Sequence, residues 1–478
     1  MKVKIDKSII MQGMLWKFAE RILAQGVSFL VSVVLSRLLL PDDYGVVALV
    51  LVFINIANVF VTSGFSTALI QKKGADETDF STNFYCCFAL SLVIYVVIFL
   101  CAPFIAGFYG MPDLTLIVRV FSIRIPISSI SSIQHAYVEK NMLFKRFFLS
   151  TLLGTVLSGI VGILMALLHF GVWALIAQYF TNTIVDIVVL LITVPWRPRL
   201  IFSTKSAREM TNYGWKILAS DLSGTMFDQL RSLLIGKVYL PSDLAYYNKG
   251  KQLPDLISVN VCASLMTVLF PAISNVNDDS DKVKLISEKA LSILSYIMFP
   301  MFLGLASIAK PLVLCLYSEK WADAIIYIQV LAIAAMLSAT STVSLQAIKA
   351  VGRSDLILKM EFLKKPVYLV LLLIGIILGP IHIAVTMTIY NIFEWLLDSI
   401  TLSSITHFTL CDQLKTILGP LGMSTIMALL IYPLSWIKAT ELVVLLLKVV
   451  CAIVSYIIMS IITKNESFST ILDILKIA

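Results

Sequence analysis

Apolar residues along this chain run on rather than alternate, in stretches of roughly 18 or more residues broken by short polar turns. A stretch of that length crosses a hydrocarbon layer about 30 Å thick as one α-helix. The pattern predicts about fourteen such spans, at approximately 10–38, 45–70, 82–108, 114–138, 147–168, 171–194, 212–238, 243–271, 285–309, 323–350, 356–378, 382–406, 414–435 and 441–463. Turn residues separate them, as at Pro41-Asp42-Asp43, Gly110-Met111-Pro112, Pro195 to Pro198, Pro241-Ser242-Asp243 and Gly379-Pro380. Every connector is short, the longest lying around 195–211, which leaves no room for a folded extramembrane domain. The expected fold class is an all-α polytopic membrane protein.

Composition agrees with the pattern. The 478 residues are 59% hydrophobic and 14% charged, against roughly 45–50% and about 25% in soluble domains. The basic start at Met1–Lys7 precedes a segment carrying Lys17, Glu20 and Arg21, so a retained helix is expected there rather than a cleaved signal. The net charge of +8 sits where helices meet their loops. Placing both termini in the cytoplasm puts roughly nineteen Lys and Arg on the cytoplasmic side and about five outside, the asymmetry of an inner-membrane protein. These charges are therefore topology determinants, and no nucleic-acid partner is expected.

Spans one and seven share a pattern. Trp16-Lys17 corresponds to Trp215-Lys216, and Ser36 to Asp43 corresponds to Gly236 to Asp243. Further on, Pro103 and Tyr109 match Pro311 and Tyr317, Arg119-Val120 matches Gln329-Val330, and Gln134 falls opposite Gln346. A duplication with small insertions produces such an ordered set. Six spans per copy is an even number, so the copies run parallel and enclose a cavity between two lobes. The expected organisation is an N-terminal lobe at 1–196, a connector at 197–211, a second lobe at 212–408 and two added helices at 409–478.

Charged residues inside spans are costly and should face one another or a cavity. Lys17, Arg21, Gln25, Ser28 and Ser32 form one stripe in the first span, with Glu20 beside Lys17. Lys216, Ser220, Gly224, Asp228 and Arg231 repeat it in the seventh, with Asp221 nearby. Arg119, Arg124, Lys249, Lys251 and Asp255 add to the set, and Asn391, Glu394 and Asp398 form an acidic stripe in span twelve. For Lys17, Arg21, Lys216, Lys249 and the Lys364-Lys365 pair, snorkelling to the membrane face competes with cavity lining. Asp228 with Arg231 also reads as a structural i,i+3 pair, and the acidic stripe as a packing contact. The basic surplus nevertheless points to an anionic ligand, phosphate above all, since cationic donors hold its oxygens with charge-assisted hydrogen bonds. The candidate substrate-binding residues are Lys17, Arg21, Arg119, Arg124, Lys216, Arg231, Lys249, Lys251 and Lys364. Candidate ion-coupling residues are Glu20, Asp221, Asp228, Glu394 and Asp398.

Catalytic patterns are missing from the sequence. There is no GxxxxGK[ST] loop, no HExxH and no GxSxG. His135, His169, His382 and His407 stand apart, and the seven cysteines show no CxxC spacing, so no metal site, cofactor or catalytic residue is expected.

The segment Ser36-Arg37-Leu38-Leu39-Leu40-Pro41-Asp42-Asp43-Tyr44-Gly45 resembles the R-x-L-x-P-x-x-[YF]-G motif of polysaccharide transporters. These belong to the multidrug/oligosaccharidyl-lipid/polysaccharide exporter superfamily. Gly64 to Gln71, Asp79 to Thr82, Met142 to Arg146, Gly171 to Leu175 and Tyr246 to Gly250 resemble its colanic and teichuronic acid exporter branch. The resemblance covers most of 8–330. It implies two six-helix lobes, two further helices and translocation of an undecaprenyl-pyrophosphate-linked oligosaccharide from cytoplasm to periplasm. Polymerase and chain-length machinery are implied neighbours, alongside membrane lipids. The competing readings are a multidrug cation exporter of the same fold and a membrane polymerase or ligase.

Overall fold

The computed structural model describes residues 7–72 and 74–470, with the side chains of 7–15, 17–22 and 65 outside that description. The chain forms two compact units, Met1–Ala245 and Tyr246–Ala478. The first contains α1 (Lys7–Leu38), α2 (Pro41–Thr62), α3 (Gly64–Gln71), α4 (Glu77–Tyr109), α5 (Leu114–Ser122), α6 (Arg124–Lys140), α7 (Phe144–Leu167), α8 (Val172–Thr193) and α9 (Thr204–Val238). After α10 (Pro241–Ser274), which starts in the first unit, the second contains α11 (Ser280–Leu316), α12 (Ala324–Ala350), α13 (Ser354–Leu378), α14 (Pro380–Ile405), α15 (Leu410–Ile431) and α16 (Glu441–Ile462). No strand occurs among the described residues.

Each expected span coincides with one helix or with a pair broken at a single residue: Ser63 between α2 and α3, and Ile123 between α5 and α6. By length and composition, 10 of these helical segments can cross a membrane. Among the described residues, the segments outside that set are α9, α13 and α14, which carry ionisable residues along their length, and α1, of which Leu23–Leu38 is a shorter apolar helix. Large apolar side chains such as Phe104, Ile192, Ile377 and Ile462 are exposed, which in a chain of this kind is the surface presented to lipid.

The duplication is visible in the turns. Pro41 and Pro241 each occupy the first helical position, where a proline loses no intrahelical hydrogen bond. The carboxylates of Asp43 and Asp243 accept from the backbone N–H of Leu40 at 3.0 Å and of Leu240 at 3.1 Å. The α6–α7 and α12–α13 turns also match. Met142 and Gly352, each two positions before its helix, have φ of 56° and 82°. Leu143 N–H donates to Val138 O, as Arg353 N–H donates to Ile348 O. The continuous stretches Leu114–Lys140 and Ala324–Ala350 are both 27 residues long. Counted from the start of each stretch, Gln134 falls opposite Ser344 rather than the expected Gln346.

Small residues set the helix spacing in place of a hydrophobic driving force, which lipid does not supply. A Cβ on Gly159 of α7 would fall 2.4 Å from Val31 of α1, and one on Gly236 of α9 would fall 1.9 Å from Leu49 of α2. A Cβ on Gly214 of α9 would fall 2.6 Å from the Gly64 carbonyl oxygen. The helix that opens the second copy of the repeat thus packs on α2, α3 and α4 inside the first unit. A polar clasp completes that contact: Lys72 bridges Asp79 at 2.7 Å and Glu209 at 3.1 Å. The hydrogen bond to Asp79 raises the Lys72 ammonium above its ordinary pKa.

In the second unit the two added helices dock on α11. Tyr296, Met423, Met427 and Tyr456 form a shared core. The Tyr456 hydroxyl donates to Tyr296 O at 2.9 Å, and the Tyr296 hydroxyl meets Ser460 Oγ at 2.7 Å. Lys284 pairs with Asp412 at 2.9 Å at one end of this contact.

Candidate functional site

The charged residues expected inside the helices separate into four environments. Lys17, Glu20 and Arg21 lie outside the described residues. On α9, Lys216, Asp221 and Asp228 are exposed and Arg231 is half-buried. All four lie on that one long helix.

Arg119 and Arg124 are half-buried and held by neighbouring helices. Arg119 Nε donates to Phe99 O of α4 at 3.3 Å, with the guanidinium 4.5 Å from the Phe99 ring. Arg124 Nε donates to Thr183 Oγ1 of α8 at 2.8 Å and lies 5.2 Å from the Tyr179 ring. A guanidinium fixed at one edge keeps its remaining N–H donors for an anion.

Lys249 is buried, with Nζ 4.3 Å from the Tyr317 ring and 5.4 Å from that of Trp321. The Tyr246 to Gly250 motif builds this box. Tyr247 packs edge-on to Tyr327 at 5.8 Å, and a Cβ on Gly250 would fall 2.4 Å from Tyr327, so glycine lets α10 approach α12. Cation–π contacts recover about 2 kcal/mol at a desolvated site. Lys251, two residues on, forms a half-exposed i,i+4 pair with Asp255 at 3.4 Å.

Lys364 is the most enclosed of the set. It is 2% exposed and lies 2.7 Å from Asp398 and 3.1 Å from Glu394. Glu394 and Asp398 share one face of α14, four residues apart, so both reach the same lysine on α13. The Ser341 hydroxyl of α12 donates to Asp398, and Asn391 donates to Ala334 O at 2.9 Å. The sequence reading put Lys364 with the substrate and the two acids with a coupling ion. In the structure they form one cluster across α12, α13 and α14, and the lysine is engaged by the acids.

Three features escaped the sequence reading. His135 of α6 pairs with Asp186 of α8 at 2.9 Å. A cavity of about 400 Å³ lies between α2–α3 and α6, with His135 on its wall. Lys448 of α16 is 1% exposed and donates to Ser307 O at 2.9 Å and Ser435 Oγ at 2.7 Å. Asp186 is a lone acid in an apolar span, and that was the available signal for the first. Among the described residues no group of three or more His, Cys, Asp or Glu is placed to hold a metal ion.

Membrane-length helices packed through glycine, with ion pairs formed between them, define a polytopic helical membrane protein. Residues 34–326 match the family described as "Polysaccharide biosynthesis protein". The chain belongs to that family, and so to the polysaccharide branch of the exporter superfamily its motifs resemble. It is 22% identical over 349 residues to the succinoglycan biosynthesis transport protein ExoT of Rhizobium meliloti, covering 73% of this chain and 71% of that one. The lipopolysaccharide biosynthesis protein WzxC of Escherichia coli is 23% identical over 376 residues, 76% of this chain and 74% of its own. The lipid II flippase MurJ in its inward closed conformation shares the fold, with a TM-score of 0.75 at 16% identity, covering 95% of this chain and 99% of that chain.

Proposed function

We propose that the chain is a flippase, not an enzyme, and that it carries an undecaprenyl-pyrophosphate-linked oligosaccharide from the cytoplasmic to the periplasmic leaflet of a bacterial inner membrane. Both termini are cytoplasmic in this reading. The lobes at 1–196 and 212–408, joined through 197–211 and followed by the helices of 409–478, alternate access to a cavity between them. Membership of a polysaccharide biosynthesis family, with relatives named as transport and lipopolysaccharide biosynthesis proteins, supports it. The observation that carries it is the burial of Lys249, with Arg119 and Arg124 half-buried, in membrane-length helices of such a chain. Together with Lys17, Arg21, Lys216, Arg231 and Lys251 they supply cationic donors for pyrophosphate.

The energetics fit export. Moving one negative charge outward across an inside-negative potential is favoured by about 2.3 kcal/mol per 100 mV. The Lys364 cluster holds two carboxylates against one ammonium. A proton or small cation would balance it, which makes Glu394 and Asp398 the best-supported coupling residues. Polymerase and chain-length proteins would receive the product.

Deleting the gene should trap complete lipid-linked repeat units on the cytoplasmic leaflet, read by leaflet-selective labelling; normal periplasmic display would refute the proposal. In the complemented strain, Lys249→Leu should lower export at least tenfold while the protein still inserts.

A further inference from the structure

We infer that the cavity between α2–α3 and α6 is a subsite for a neutral, hydroxyl-rich sugar residue, separate from the cationic residues that would take pyrophosphate. The inference rests on the flippase reading and adds the chemical class of one part of the cargo.

The cavity of about 400 Å³ lies within the roughly 300–1,000 Å³ of small-molecule sites. Such sites carry a few placed polar groups on a largely apolar lining, and here those groups fall on two facing walls. Ser128, Ser132, His135 and Glu139 of α6 recur at spacings of three and four, so a single polar stripe forms one wall. Asn58, Thr62 and Ser66, four residues apart on α2 and α3, form the facing wall.

The hydrogen bonds already made decide what the lining can still offer. The hydroxyls of Thr62, Ser128 and Ser132 donate to the carbonyls of Asn58, Ile125 and Ser129 at 2.9, 2.9 and 2.8 Å. Their protons are committed and their lone pairs remain as acceptors. Ser66 Oγ is buried with no hydrogen-bond partner, and an amide donor is present at Asn58. A sugar ring with several hydroxyls, each both donor and acceptor, matches a lining rich in acceptors.

Charge selects against the anionic part of the cargo. The ionisable lining residues are His135 and Glu139, and His135 is already paired with Asp186. Lys140 beside them is directed away, donating to the carbonyls of Leu69 at 2.8 Å and Lys72 at 2.6 Å. With Glu139 exposed at the rim, the cavity repels phosphate and uronate and accepts a neutral hexose or N-acetylhexosamine.

The test uses the full chain in lipid nanodiscs. Saturation-transfer NMR is run with free glucose, galactose, N-acetylglucosamine and glucuronate, and radiolabelled inorganic pyrophosphate binding is measured in parallel. At least one neutral sugar should bind, and glucuronate should not. Ser128→Leu and Glu139→Gln should each weaken that sugar at least tenfold and leave pyrophosphate binding unchanged. Absence of neutral-sugar binding, or binding that survives both substitutions, overturns the subsite while intact pyrophosphate binding keeps the flippase reading. Loss of pyrophosphate binding in the unsubstituted chain counts against that reading instead. Because a leucine at 128 can disturb packing, Ser128→Cys is alkylated with and without the sugar. Protection of fivefold or more is expected; an unchanged rate overturns the inference.

Discussion

Two acids at matching places in the two units are paired in different ways. Gly171 opens α8 and Gly379 opens α14, and Asp186 and Glu394 each stand fifteen residues beyond their glycine. In the first unit the partner is His135, supplied by α6. In the second it is Lys364, supplied by α13. The place equivalent to Lys364, ten residues after the helix start, is Gly154 in α7, where a Cβ would meet Asn182 at 3.3 Å. One copy packs a glycine where the other inserts a cation. The consequence is local: the first unit keeps a hydroxyl-lined cavity beside a half-exposed histidine, while the second fills the space with a lysine that is 2% exposed. An acid thus stands at corresponding positions of both units, beside a cavity in one and within a lysine-centred charge cluster in the other.

The strongest way to break this contrast is Lys364→Met. It leaves two carboxylates facing each other with no cation, and removing one partner of a buried pair costs about 3–5 kcal/mol. The purified protein should unfold at a clearly lower temperature and accumulate poorly. Adding Glu394→Gln and Asp398→Asn to the same chain should recover most of the loss. Full stability of the single variant would mean that the lysine does not neutralise the acids.

Asp186→Asn makes the corresponding change in the first unit, and the expected effect is smaller. His135 is 36% exposed on its side chain, so loss of its partner leaves it hydrated rather than stranded. A charged hydrogen bond in such a place contributes about 1.5–3 kcal/mol before screening, and partial exposure brings the expected loss toward the lower figure. Thermal unfolding alongside Lys364→Met ranks the two. An equal or larger loss at Asp186 would erase the difference between the copies.

The sequence patterns carried the helices and the family, because each is written in local spacing: long apolar runs and the Arg37 to Gly45 motif. They carried the α14 acids too, since Asn391, Glu394 and Asp398 share a helical face. Partnership was another matter. Lys364 and Glu394 are thirty residues apart on adjacent helices, and His135 and Asp186 are separated by fifty-one, with α7 between them in sequence. Which helix supplies the cation depends on a packing detail, glycine or lysine at one position of α7 or α13, that no periodicity encodes. The serines of α6 were equally visible as a stripe, but a stripe becomes a cavity wall only when α2 and α3 face it.

The smallest effect concerns where the two copies agree. Asp43 and Asp243 accept from the backbone N–H of Leu40 and Leu240 at 3.0 and 3.1 Å, in turns whose proline and acid stand at the same positions. An acid in the first turn also complements the positive end of the helix. Asp43→Ala and Asp243→Ala should each cost about 1 kcal/mol. Their effects should agree to within about 0.5 kcal/mol, since matching geometry at well-separated sites leaves little to distinguish them. Side-by-side thermal unfolding of the two variants reads this directly. A twofold or greater disparity would mean that the copies have diverged at their turns as well as at their charges, and that the shared frame is shallower than its backbone suggests.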